Sequence, residues 1–166
     1  MAHKKTWAEK LQDSKGFPKI IPYSAKLPCG KALAKQGARP GDTVVLVQPL
    51  EVREVMSTVP QGKLITLNEI CRRLAVKHGA DYCCTLTAGI FVMTAANAAE
   101  ETGDELAYWR TVKNDGELNA KFPGGGDAQA ARLEREGFRV SRRGRRWFVE
   151  EFERYLDRPD RPGQEP

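Results

Sequence analysis

The alternation of apolar and polar positions is most informative between Gly62 and Asn97. Leu67, Ile70, Cys71, Leu74 and Ala75 recur at i, i+3, i+4, i+7 and i+8, one stripe of an α-helix. Thr66 ahead of the stripe and Glu69 three residues on form a capping box, and His78-Gly79 offers a stop with glycine at the left-handed position. A short polar turn follows. An Ala-rich apolar run then starts at Thr85 and carries Leu86, Ala88, Gly89, Ile90 and Met93, predicting a second helix over Thr85–Asn97. Two helices joined by a Gly-containing turn predict a helix-turn-helix, and two ordinary packed core helices are the alternative that the pattern leaves open.

Elsewhere the pattern predicts shorter elements. Thr6 and Glu9 bracket a helix start, with Trp7 and Leu11 on its apolar side. Residues 14–42 are broken repeatedly by Pro18, Pro22, Pro28 and Pro40 and by four glycines. The expectation is an irregular arm wrapped over the domain, burying Phe17, Ile20, Ile21 and Tyr23, with a disordered arm as the alternative. Thr43–Val47 is a β-branched run and the best early strand. Pro49 opens a helix through Val52, Val55, Met56 and Val59, closed by Pro60-Gln61-Gly62. Ala98–Glu105 continues the second central helix into a loop. Asp127 is expected to cap a helix through Ala130 and Leu133 that Gly137 stops. Phe138–Val140 and Trp147–Val149 read as a hairpin with a basic tip from Ser141 to Arg146, followed by a short helix over Glu150–Leu156. The tail from Asp157 has the composition of a disordered segment.

Composition narrows the class. With 166 residues and a net charge of +5, the chain is one domain with an appendage, long enough for a core without disulfides. The basic balance favours an anionic partner, nucleic acid above all. The first residues, MAHKK, lack the apolar stretch of a signal peptide, and no run approaches the roughly 18 apolar residues of a membrane span. Four cysteines without a secretory signal point to reduced thiols in a bacterial cytosol.

Three candidate chemistries change little. Cys71, His78, Cys83 and Cys84 fit no common zinc spacing, so buried free thiols are expected and no metal or cofactor. Gly124-Gly125-Gly126 lacks the lysine and preceding strand of a phosphate-binding loop. Arg142, Arg143, Arg145 and Arg146 form either a solvated turn or a phosphate-binding tip, where mutual repulsion would be relieved by an anion.

The order of Val59-Pro60-Gln61-Gly62-Lys63, a Thr-capped helix, a small-residue helix with Thr87-Ala88-Gly89, and Tyr108-Trp109-Arg110-Thr111-Val112 resembles the DNA-binding domain of the methylguanine-DNA methyltransferases. Arg132-Leu133-Glu134-Arg135-Glu136-Gly137 resembles the helix that closes that domain. The likeness spans roughly residues 49–138. It is nearest to a divergent bacterial branch carrying Tyr-Trp-Arg-Thr and Gly-Glu-Leu-Asn before Pro-Gly-Gly. The resemblance implies a winged-helix-like domain, a place in DNA repair, and double-stranded DNA as partner. It also places Tyr108 at the acceptor Cys, Trp109 at the activating His, Leu67 at the helix Tyr and Thr85 near the Arg finger. A phenol is a poor alkyl acceptor beside a thiolate, and an indole takes no proton. Glu136, at the supporting carboxylate, is left with no His to polarise. The chain is similar in this to the alkyltransferase-like proteins, which bind alkylated DNA without repairing it.

The expected fold is mainly α with small β (α+β). Residues 1–48 supply an N-terminal helix, arm and strand, and residues 49–138 a winged-helix-like helix-turn-helix domain. Residues 139–156 supply the basic hairpin and short helix, and 157–166 a disordered tail. The expected function is non-catalytic DNA binding by a monomer, sensing alkylated or damaged DNA. The alternatives are a protein-interaction module that has lost DNA binding, and an alkyltransferase using a relocated Cys83 or Cys84. Tyr108, Trp109 and Arg110 would line a base pocket. Lys63, Thr66, Arg72, Arg73, Thr85, Thr87, Ala88, Gly89, Arg142, Arg143, Arg145 and Arg146 would contact DNA, and no catalytic residue is assigned.

Overall fold

The computed structural model describes residues 3–158. Helix α1, Trp7–Gln12, begins where the Thr6 hydroxyl accepts the Glu9 N–H. Strand β1, Lys19–Pro22, and helix α2, Gly30–Lys35, follow. The 14–42 segment is therefore not the irregular arm that the sequence predicts. Its prolines and glycines bound elements too short to show a period. Lys19, Ile20, Ile21 and Pro22 pair antiparallel with strand β2, Thr43–Leu46. Pro22 is tolerated because β1 is an edge strand. Ile20, expected to be buried, is half exposed for the same reason.

Helix α3, Pro49–Ser57, starts on Pro49 as predicted, within a Gln48/Glu51 capping box. Strand β3, Ile65–Thr66, leads into helix α4, Leu67–His78. Thr66 accepts the Glu69 N–H, and Gly79 closes the helix at φ 67°, so both expected punctuation marks are present. Cys71 lies on the buried stripe with Ile70, Leu74 and Ala75. Strand β4, Tyr82–Cys83, completes a sheet of order β1-β2-β4 by pairing parallel with β2. Helix α5, Thr85–Thr102, packs against α1, α3 and α4.

A 3-10 turn over Tyr108–Arg110 passes into strand β5, Thr111–Val112, which pairs parallel with β3. Helix α6, Gly125–Arg135, begins two residues before the expected cap, because Gly124 takes the left-handed N-cap conformation. Asp127 is left in the first turn, where its carboxylate accepts the indole N–H of Trp147. Strands β6, Val140–Arg143, and β7, Arg146–Val149, pair antiparallel. The hairpin ladder thus continues into the arginines, and only Gly144 and Arg145 form the tip. The predicted last helix is a single 3-10 turn, Phe152–Tyr155.

The expected tail is partly ordered. Asp157 donates its N–H to Leu64, and its carbonyl accepts from Arg73 at 2.7 Å. The rest of the predicted disordered tail, from residue 159, lies outside the described residues.

Leu11, Val45 and Val47 share one core with Val52, Met56, Ile70, Phe91, Val92, Tyr108 and Phe122. The segment before residue 49 is therefore built into the same core as α4 and α5. Leu64, Val112, Leu118, Leu133, Phe138 and Val149 form a second cluster, which the hairpin closes. Trp109 packs against both. Among the described residues no helix is long and apolar enough to cross a membrane.

Candidate nucleic-acid interface

Helix α5 turns one face to the core through Ala88, Phe91, Val92, Ala95 and Ala99. Ala88 is fully buried, so it does not face a groove as the sequence reading has it. The opposite face carries Leu86 and Ile90, 50% and 56% exposed, one turn apart. Gly89 lies on the rim between core and surface, and Leu67 of α4 packs where a Cβ on Gly89 would make ordinary contact.

Beneath this rim a cavity of about 300 Å³ opens between α4, α5 and the segment after β5. Leu67, Gly89, Val92, Val112, Asn119 and Phe122 line it. A broader groove along the exposed face of α5 adds Trp7, Ile90, Met93, Lys113 and Lys121.

Tyr108, Trp109 and Arg110, expected to line a base pocket, are packed as a structural unit instead. Tyr108 is 3% exposed, meets Trp109 and Phe122 edge-on, and donates its hydroxyl to Glu100. Burial pushes the phenol above its ordinary value; the Arg132 guanidinium opposes this and the Glu100 carboxylate adds to it. Arg132 lies 4.5 Å from the centre of the Trp109 ring. The Glu136 carboxylate accepts the Trp109 indole N–H at 2.6 Å, the Arg110 guanidinium at 3.0 Å and the Gly62 N–H at 3.2 Å. Arg110 also donates to the Val59 carbonyl. Glu136 is thus not idle without a histidine: it joins the Val59–Lys63 turn to the Tyr108–Arg110 turn.

One organising residue escaped the sequence reading. Gln129, 2% exposed, donates to the carbonyls of Trp109 and Thr111 and accepts the Asn119 N–H. It fixes the loop that places Asn119 at the cavity. Its only signal was a polar side chain on the apolar stripe of α6.

The cationic residues divide into spent and unspent charges. Arg72 makes a bidentate contact with Glu69. Arg73, 13% exposed at its side chain, pairs with Glu69 and Asp157. Arg146 is bidentate to Glu117. These three, expected on phosphates, are engaged within the fold by carboxylates. Thr66 is buried at its helix cap, and Thr87 donates to the Cys84 sulfur. Thr85 and Gly89 remain at the surface with half-buried Lys63. On the hairpin Arg142 and Arg143 lie over the rings of Trp147 and Phe148, and Arg145 is exposed at the tip. The repulsion expected among four arginines is relieved by Glu117 and by these ring faces.

The four thiols are free and buried. Cys29 is pushed up to about 12 by burial and by hydrogen bonding with Cys84. Cys83 is pushed up further by its hydrogen bond with Cys71 and by burial. Thiols held protonated in this way are poor nucleophiles. Among the described residues no cluster of His, Cys, Asp and Glu could hold a metal ion. Packing accounts for Gly126, since a Cβ there would lie 2.9 Å from the Trp147 ring.

No family model matches the chain, and no curated protein is similar to it. Solved structures do resemble its fold. A crystal structure of S. pombe ATL in complex with DNA superposes with a TM-score of 0.50 at 17% identity, covering 67% of this chain and 94% of that one. S. pombe Atl1 in complex with damaged DNA containing O6-carboxymethylguanine superposes at 0.49 and 19% identity, with the same coverage. At 17% identity the likeness to ATL is one of fold: this chain has an ATL-like arrangement of helices and small sheets, with further residues built around it.

Proposed function

We propose that this protein binds duplex DNA without altering it, using α4, the turn after it and α5 as a helix-turn-helix in a winged-helix-like domain, and that it senses alkylated or damaged bases. The observation that carries the reading is the cavity of about 300 Å³ at Gly89, directly beside the exposed pair Leu86 and Ile90. Apolar side chains on a surface element can wedge between base steps and unstack them. A base turned out of the stack needs a pocket of limited size at the wedge, and the least costly base to turn out is a damaged or mispaired one. Lys121 flanks the same face and supplies charge for the backbone, while Lys113 beside it is paired with Glu117. The likeness of fold to S. pombe ATL, whose structure was solved in complex with DNA, supports DNA as the partner.

In this reading Asn119 offers hydrogen bonds to the everted base, and Phe122 and Val92 its apolar walls. Tyr108, Trp109 and Arg110 act one layer below, holding the floor of the site. No alkyl group is transferred, because the phenol of Tyr108 is buried and protonated and the Cys83 thiol is held protonated. The protein works as a monomer in the cytosol.

The test uses duplexes with 2-aminopurine beside a central O6-methylguanine. Binding should brighten the fluorophore as the stack opens. Leu86→Ala with Ile90→Ala should remove the brightening and weaken binding. Mass spectrometry of the recovered chain should show its unmodified mass. A methyl adduct at one per chain would establish a relocated acceptor instead. No binding at low salt would leave Leu86 and Ile90 as a protein-docking face, the second reading that their exposure favours.

A further inference from the structure

We infer that helix α2 and the turn leading into it form a second duplex-contacting surface, one that grips the phosphate backbone beside α5. This rests on the DNA-binding reading above and extends its footprint to residues outside the helix-turn-helix.

The first observation is in the sequence. Between Asp13 and Asp42 there are six cations, Lys15, Lys19, Lys26, Lys31, Lys35 and Arg39, and no carboxylate. The whole chain has a net charge of +5, so this one segment carries all of the excess and the remainder is close to neutral. The second is their state in the fold. Lys26, Lys31 and Lys35 are exposed, and none makes an ion pair among the described residues. Arg73, Arg110 and Arg146, by contrast, are each neutralised by a carboxylate of the fold. The positive field of the molecule therefore has two sources, α2 with its neighbours and the hairpin arginines other than Arg146, and only the first lies beside the start of α5.

The third observation is rigidity. A six-residue helix has no stability of its own. Here Leu33 is fully buried among Tyr23, Cys29, Ala38, Val44 and Cys84, and the Tyr23 hydroxyl donates to the Gly30 carbonyl. Gly30 lets the 24–27 turn approach so closely that a Cβ would lie 2.5 Å from the Ala25 carbonyl oxygen. The lysine backbones are thus fixed before any partner arrives, which lowers the ordering cost of binding.

The fourth is position. Lys35, Ala32 and Gln36 share one open groove with Asn68 of α4 and with Thr85 and Leu86 at the start of α5. Lys31 and Lys35 are four apart on one helical face, about 6 Å along the axis. Each strand of a duplex presents a phosphate about every 3.4 Å along its axis, so two flexible ammonium groups at that spacing can meet neighbouring phosphates. A strand whose base is taken at Gly89 would continue along this groove. A polyanion of regular spacing is the partner that such a surface fits, and duplex DNA is the one continuous with the α5 site.

The experiment is a salt-series titration of the full chain with a short undamaged duplex. The Lys26→Gln, Lys31→Gln, Lys35→Gln variant should reduce the slope of log affinity against log salt by up to about 2.7, from about 0.9 per phosphate contact. Between 50 and 200 mM salt the wild type should then lose up to about 40-fold more affinity than the variant. The Lys26→Arg, Lys31→Arg, Lys35→Arg variant should keep the wild-type slope, which separates charge from any loss of structure. If the wild type binds with a steep slope and the Gln variant matches it, this inference is wrong and the α5 reading stands. Failure of the wild type to bind any duplex would sink both. Sedimentation with vesicles of anionic phospholipid completes the test: lipid binding that the Gln variant loses, with an unchanged DNA slope, would assign the surface to a membrane and overturn the inference.

Discussion

The indole N–H of Trp109 donates to the Glu136 carboxylate at 2.6 Å, and the same carboxylate holds the Arg110 guanidinium. Trp109 packs against both the central cluster and the one closed by the hairpin, so this hydrogen bond sits at the seam between them. The turn below the cavity is therefore fixed by charge and hydrogen bonding as well as by packing.

Replacing Glu136 with Ala should cost about 3 kcal/mol or more, because it strands the guanidinium of a largely buried pair. Glu136→Gln keeps an acceptor for the indole but not the charge, and should lose less. Urea unfolding gives both values. Equal stability of Glu136→Ala and wild type would mean that water replaces the carboxylate at no cost.

Glu117 predicts the acid behaviour of the hairpin. The Arg146 guanidinium beside it holds its carboxyl below the ordinary value near 4.5, against the opposing effect of burial. A carboxyl depressed in the folded state contributes stability above its unfolded value, and that stability is lost as pH falls through the folded value. The advantage of wild type over Glu117→Gln should be constant from pH 7 down to about 5 and shrink below about 4.5. Urea midpoints across that range measure it, and an advantage that grows on acidification would reverse the assignment.

What could be read from the sequence was what is periodic and locally capped. Thr66, Glu69 and Gly79 mark α4 without tertiary help, and Pro49 marks α3. Strand β1 and helix α2 were hidden because four and six residues carry no usable period and depend on pairing with β2 and on the pocket around Leu33. The candidate site was legible only in part. Gly89 and Thr85 are half-buried on the rim of α5, and sequence could not tell that Glu69 and Glu117 would consume Arg73 and Arg146. Nor could it show that a 3-10 turn would bury Tyr108. Those outcomes depend on contacts from 4 to 29 positions apart in the chain.

Glu117 removes one hairpin arginine, Arg146, from those available to phosphates. Four arginines on phosphates would contribute about 3.6 to the salt slope. With Arg146 held by Glu117, the Arg142→Gln, Arg143→Gln, Arg145→Gln variant should flatten the slope by at most about 2.7. The effect should be equal for every duplex sequence, since phosphate contacts position without reading bases. Titrations across salt on two unrelated duplexes check it, and an unchanged slope would make the hairpin a solvated turn.

Gly30→Ala sets two effects of opposite sign against each other. Gly30 opens α2 with no positive φ, so on helix propensity alone alanine should stabilise it by about 1 kcal/mol. Yet the new Cβ would lie 2.5 Å from the Ala25 carbonyl oxygen and 2.8 Å from that of Ser24. Both are backbone atoms, so no side chain can rotate away, and the turn itself must move. Overpacking of this kind costs about 1–3 kcal/mol, which outweighs the propensity gain at most of its range. The expected result is a less stable protein with α2 displaced from Tyr23 and Leu33. The neighbouring Cys29, 3% exposed in the fold, should then react faster with a thiol reagent, while Cys71 on the far side of β4 keeps its protection. Peptide mapping after a timed alkylation distinguishes the two cysteines. A variant more stable than wild type, with Cys29 still protected, would show that the 24–27 turn yields freely and that Lys26, which it carries, is not rigidly held.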